Sequence, residues 1–244
     1  MKTISDMRKH DLMGIVVLAT ILAMPGILLS ANKRFTDSFM LDRCTGFSST
    51  GSNPFFILEP GYQLVLEGKE DGEDINLTIT VLDETEEITT EETGVVTTRV
   101  VEERETIGGE LVEVSRNFFA ICDRDNSVFY FGEDVDFYEN GVIVGHEGSW
   151  RAGVNGARAG IIMPGTILLG SRYFQEIAPE VAMDRAEIVS INKVIETPFG
   201  EYENCLKTKE TAPLEPSAKE FKYHAPGVGL IKDGVLKLTE INNL

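Results

Sequence analysis

Three sets of side chains in this sequence have types and spacings that could do chemistry. The first is a run of oxygen ligands, Asp123 and Asp125 at alternate positions with Asp134 further on. A calcium ion needs several convergent oxygens of this kind. Val128, however, stands where such a loop requires glycine for its sharp turn, and the strand-forming VFYF follows at once. A hairpin turn entering a core strand is the better reading, and no resident metal is expected. The second set is His146-Glu147-Gly148-Ser149, which puts a hydroxyl near an imidazole but without a nucleophile elbow. No catalytic residue is assigned from it. The third is the carboxylates, of which Glu133 and Asp134 could serve a hydrolase. Among 40 acidic residues such pairs arise freely, so their presence carries little weight. No phosphate loop, dinucleotide fingerprint, zinc helix motif or Cys-x-x-Cys is present, and no cofactor is expected.

A glycine-rich stretch is the better candidate for a working surface. Eight of the 23 glycines fall within residues 141–170, together with Trp150, the chain's single tryptophan. Glycine weakens strands and permits positive φ, so residues 145–165 are expected to form an ordered loop against the end of a sheet. That loop should bring Trp150 and Arg151 near Tyr130 and Glu133, with Arg158 nearby. These five residues form the expected ligand site, an apolar floor with a few polar groups. The competing reading is that Trp150 caps the core and that Arg151 and Arg158 neutralise neighbouring carboxylates.

The elements that must position these groups are strands. In INLTITV, Ile75, Leu77, Ile79 and Val81 alternate with polar residues, and YQLVLE repeats the pattern. Period-two alternation makes a strand with one buried and one wet face. Further strands are expected near 95–103, 110–121, 127–132, 142–146, 187–196, 202–211, 218–224 and 235–241. Gly108-Gly109, Asp123 to Asn126, Asn140-Gly141, Pro198-Phe199-Gly200 and Asp233-Gly234 mark turns, and Asn140-Gly141 and Asp233-Gly234 are two-residue hairpin candidates. The acidic run LDETEEITTEET reads as a solvated loop between strands, and a short piece around 173–184 as a helix. No βαβ rhythm appears. The fold class is therefore mostly β: a single curled antiparallel sheet, half-barrel or barrel, with at most one or two short helices and an N-terminal signal or anchor helix before it.

Residues 1–31 read as an export signal or membrane anchor. Lys2, Arg8 and Lys9 precede the uncharged run GIVVLATILAMPGILLSA, and polar residues follow. Residues 32–57, rich in Ser, Thr, Gly and Asn, read as a flexible tether, and 58–244 as the β domain. The expected location is extracytoplasmic, secreted or tethered to the outer face of the cytoplasmic membrane, with membrane contact only through the N-terminal segment. The net charge of −18 disfavours nucleic acid as a partner. An oxidising exterior permits one disulfide among Cys44, Cys122 and Cys205. Cys122 and Cys205, both in expected core strands, form the favoured pair, with Cys44 free in the tether. Asn76-Leu77-Thr78 fits a glycosylation acceptor, with Asn76 on the wet face.

The segments VFYFGED (128–134), GSWRAGVNGARAGIIMPG (148–165), TPFGEYENCLKTKET (197–211) and KYHAPGVGLIK (222–232) resemble an uncharacterised family of exported microbial proteins and lipoproteins, from about residue 58 to the end. Where many relatives carry Gly-Asn-Val-Trp-Tyr, this chain has Asn126-Ser127-Val128-Phe129-Tyr130, so a two-tryptophan platform is not expected. The ending also loosely resembles half-barrel lipoprotein carriers, a likeness of fold alone. Together these readings lead to the expectation of non-catalytic binding of an apolar or amphiphilic ligand, or of a cell-envelope component. The alternatives are a carboxylate-dependent hydrolase and a calcium-stabilised surface module.

Overall fold

The computed structural model describes residues 34–244, so the expected export segment lies outside the described residues. The described residues are built mostly from antiparallel strands: β1 (Tyr62–Glu70), β2 (Glu73–Thr90), β3 (Gly94–Ile107), β4 (Glu110–Cys122), β5 (Val128–Glu139), β6 (Arg158–Met163), β7 (Arg172–Phe174), β8 (Glu176–Ile177), β9 (Arg185–Glu196), β10 (Glu201–Thr211), β11 (Glu220–Ala225), β12 (Gly229–Asp233) and β13 (Leu236–Asn243). Their spatial order is β7-β9-β10-β11-β12-β13-β1-β2-β3-β4-β5-β6-β8. The short pieces Val142–Gly145 and Trp150–Arg151 add to β5, and Phe47–Ser48 adds to β4.

The two outer strands of this order are neighbours in sequence, and that closes the sheet. Tyr173 in β7 pairs with Ala186 on one edge, and Glu176 in β8 pairs with Ala159 on the other. Six residues, Arg172–Ile177, therefore stitch both edges into a nearly closed barrel. The helix expected around 173–184 does not form. Apolar residues there answer to two strand edges, and the backbone is held by bonds such as Gln175 N–H to Asp184 O at 2.8 Å. Among the described residues the one helical turn is the 3-10 segment Leu41–Arg43.

Tight turns set the strand registers. Asn140-Gly141 and Gly108-Gly109 have positive φ at both positions, 52° and 76°, and 60° and 85°, as a two-residue hairpin requires. At the β12–β13 hairpin the turn residues are Gly234-Val235, one residue later than expected. The acidic run 82–93 is not a loop. β2 continues to Thr90, with a bulge between Val81 and Thr85. The carbonyls that the bulge takes out of the ladder are met by buried Arg99, which donates to Leu82 O and Glu84 O at 3.3 Å and to Ser49 O at 2.9 Å.

Residues 34–57 are packed, not a tether. Phe39 and Phe47 set their rings edge-on to Phe129 at 6.1 Å, and Leu41 and Leu58 are buried. Among its Ser, Thr and Gly residues the segment carries enough large apolar side chains to cover the outer face of β4 and β5. The disulfide follows from this docking: Cys44 bonds Cys122, with Cα atoms 5.6 Å apart, and Cys205 is a buried free thiol. The expected Cys122–Cys205 pair is thereby replaced. Cys122 lies in β4 and Cys205 in β10, strands remote from each other around the barrel.

Candidate functional site

Inward-facing side chains leave a cavity of about 250 Å³ inside the barrel. Its wall changes character along the barrel. One end is apolar, lined by Phe56, Leu64, Ile79, Val81, Phe119 and Leu230. Phe56 sits there because the Ser52–Ile57 hairpin folds over the rim, where Pro54 O accepts a bond from Gly227 N–H at 2.7 Å. The apolar wall is the same Ile79–Val81 face whose alternation is legible in the sequence.

The middle of the lumen is polar and acidic. Glu103 on β3, Glu133 on β5, Glu176 on β8, Asp184 before β9 and Glu210 on β10 line it, facing Lys222 and His224 on β11. Lys222 Nζ lies 3.2 Å from Glu210 and 3.6 Å from Asp233. Glu210 leads in holding the Lys222 ammonium well above its ordinary range. Burial pushes the Glu133 carboxyl up to about 7, with the Glu103 charge adding to it. Burial also raises Glu103 and, helped by Asp184, raises Glu176 far more. His224 is lowered to about 4 by burial, so its imidazole is neutral at physiological pH. Beyond Glu103 the lumen widens into an acidic mouth lined by Glu70, Glu105, Glu113, Glu220 and Asp233.

The structure divides the five expected ligand residues between two faces. Trp150 pairs with Glu133 in register and packs its ring on Tyr130 at 5.2 Å, so the expected juxtaposition is present. Tyr130 donates to Asn117 Oδ1 on the lumen side. Trp150 is buried, and its Nε1 has no hydrogen-bond partner among the described residues. Arg151 faces outward instead. Its guanidinium stacks 4.1 Å over Phe118 and donates to Asp134 at 2.6 Å and to Glu133 O at 2.9 Å. Arg158 is exposed on β6, away from that cluster.

Glu133 and Asp134 point to opposite sides of the sheet, as adjacent strand residues must, so they do not converge as a catalytic pair. The weak calcium candidates are also dispersed. Asp125 accepts from Arg124 at 2.7 Å and from Ser127 N–H at 3.0 Å in the 123–126 turn, while Asp134 is held by Arg151. Among the described residues no three His, Cys, Asp or Glu side chains form a metal-holding group. Asn76 lies on the outer face, its amide donating to Glu67 at 3.3 Å.

Comparison of the chain with family models, curated proteins and solved structures finds no match. Reading the sequence alone misses Glu103, Gln175, Glu176, Glu210, Lys222 and His224. A signal was available: Glu103 and Glu105, Thr208 and Glu210, and Lys222 and His224 each occupy one phase of a strand. Polar residues in the buried phase mark a lumen rather than a packed core.

Proposed function

We propose that this chain is an extracytoplasmic, non-catalytic binding protein whose barrel holds a small apolar or amphiphilic molecule. The observation that carries this reading is the internal cavity of about 250 Å³, apolar at one end and polar at the other. A concave apolar wall with a few convergent polar groups is the usual form of a ligand site. Export is supported by the basic start and apolar run of residues 1–31, and by the Cys44–Cys122 disulfide, a bond of oxidising compartments.

The test is native mass spectrometry of protein recovered from its producing cells, beside a Val101→Phe variant that fills the lumen. A bound mass on the unaltered protein that is absent from the folded variant supports the reading. Identical retained material on both, or none on either, refutes it.

A further inference from the structure

We propose that the polar zone of the lumen is built for a primary ammonium group, so that the occupant is a small aliphatic amine whose chain lies in the apolar end. This rests on the reading of the lumen as a binding site. Four lumen carboxylates, Glu103, Glu133, Glu176 and Asp184, have no ion-pair partner within 4.0 Å among the described residues, because Lys222 is committed to Glu210 and Asp233. Acidic side chains alone would not define a ligand. A second observation comes from the neutral groups beside them.

Gln175 is 4% exposed and uses its Nε2 on Glu210 at 3.2 Å, which leaves Oε1 without a partner inside the cavity. His224 is 9% exposed, and its Nδ1 is also unpartnered there. An orphaned buried polar atom is costly, so a protein that retains one in a cavity wall has a use for it. Gln175 Oε1 and the unpaired carboxylates give this wall a surplus of acceptors, and His224 Nδ1 joins them in the tautomer that carries its proton on Nε2. An ammonium brings three donors, no acceptor and one positive charge. A carboxylate, sulfate or phosphate brings the opposite of each, and a neutral hydroxyl supplies a single donor.

Size and access agree with this chemistry. At roughly 30 Å³ for each water-sized unit, the lumen holds about eight non-hydrogen atoms, which is the length of a medium-chain amine. The acidic mouth of Glu105, Glu113, Glu220 and Asp233 leads to it, and a cleft lined by one sign of charge concentrates ions of the other. The ammonium replaces the protons that the lumen carboxyls, Glu133 and Glu176 foremost, hold in the free protein. Binding therefore releases protons and weakens as pH falls through about 7, where Glu133 protonates. The groups facing Glu133 in this exchange are Glu103 on β3, Glu113 on β4, Asp184 ahead of β9 and the Tyr130 hydroxyl on its own strand.

The experiment titrates the purified full chain with octylammonium, 1-octanol and octyl sulfate in near-physiological salt, read by calorimetry and by Trp150 emission. Octylammonium should bind with a stoichiometry of one, at least about tenfold tighter than 1-octanol, the scale of a charge-assisted hydrogen bond, with octyl sulfate not binding. Glu133→Gln and Glu176→Gln should each weaken octylammonium by about tenfold and leave 1-octanol unchanged. If 1-octanol binds as tightly as octylammonium, the ammonium assignment falls and the cavity reading stands. Preference for octyl sulfate overturns it equally, and binding of none of the three removes both. The probe comparison on the unaltered protein decides the matter even if a variant does not fold.

Discussion

Removing the Cys44–Cys122 bridge tests how residues 34–57 are held to the barrel. The two cysteines are 78 residues apart in sequence. Closing a loop of that length in the unfolded chain removes about 15 cal/mol/K of entropy, or roughly 4.5 kcal/mol at room temperature. Residual structure in the unfolded chain lowers the effective figure to about 3–4 kcal/mol. For a domain of this size each kcal/mol moves Tm by about 2–4 °C, so Cys44→Ser/Cys122→Ser should melt about 6–16 °C below the oxidised protein. The assay is thermal unfolding by far-ultraviolet circular dichroism, with Cys205→Ala as the control. That control loses only a small buried thiol and should cost about 1 kcal/mol. In the double variant, limited proteolysis should cut first within 37–50, between the bonds that hold Thr36 to Arg172 and Phe174 and the Ser52–Ile57 hairpin. An unchanged Tm in the double variant, or a non-reducing peptide map that joins Cys122 to Cys205, would refute the argument.

Stability should rise as pH is lowered from alkaline toward about 5. Glu133 and Glu220, both raised to about 7, give stability that is complete below their ordinary value of 4.5 and lost as pH rises through 7. His224, lowered to about 4, works in the other sense below its ordinary 6.5 but is outnumbered. A melting curve flat in pH, or a Glu133→Gln variant as pH-sensitive as the parent, would contradict this. Gly160→Ala should lower Tm by several degrees, because its new Cβ would lie 2.5 Å from Gln175 O at the barrel seam, whereas Gly200→Ala, with open space around it, should not. Arg99→Met should cost about 2–3 kcal/mol in urea unfolding by leaving the bulge carbonyls of Leu82 and Glu84 without a donor; a smaller loss than for an exposed arginine such as Arg104 would refute the role.

The strands are legible because their alternation is strong and local: Ile75 to Val81 lie inward as the period requires, and Asn140-Gly141 turns where it should. What the sequence does not show is which strands become neighbours across long separations. The Cys44–Cys122 bridge depends on where residues 34–57 dock, and that docking is decided by a few phenylalanines among residues typical of linkers. Arg172–Ile177 misleads for a related reason, since its conformation is set by two edges contributed from elsewhere. The acidic run 84–92 reads as a loop by composition, yet a long neighbouring strand and Arg99 hold it extended. For the site, the glycine-rich loop does place Trp150 on Tyr130 and opposite Glu133. The remaining lumen groups converge from strands far apart in sequence, and no local pattern links Glu103 to Lys222.

The pairing of β13 with β1 joins residues such as Asn242 and Gln63, which lie at opposite ends of the β domain. Gly61 O also accepts from Leu244 N–H at 2.8 Å. A chain emerging in order from a ribosome or a translocation channel thus leaves one margin of β1 bare until nearly everything else has been delivered. Contacts so distant in sequence make folding slow, because a long loop must be ordered before they form. Without Leu236–Asn243, the edge of β1 and the apolar Leu64–Leu66 face behind it would be exposed.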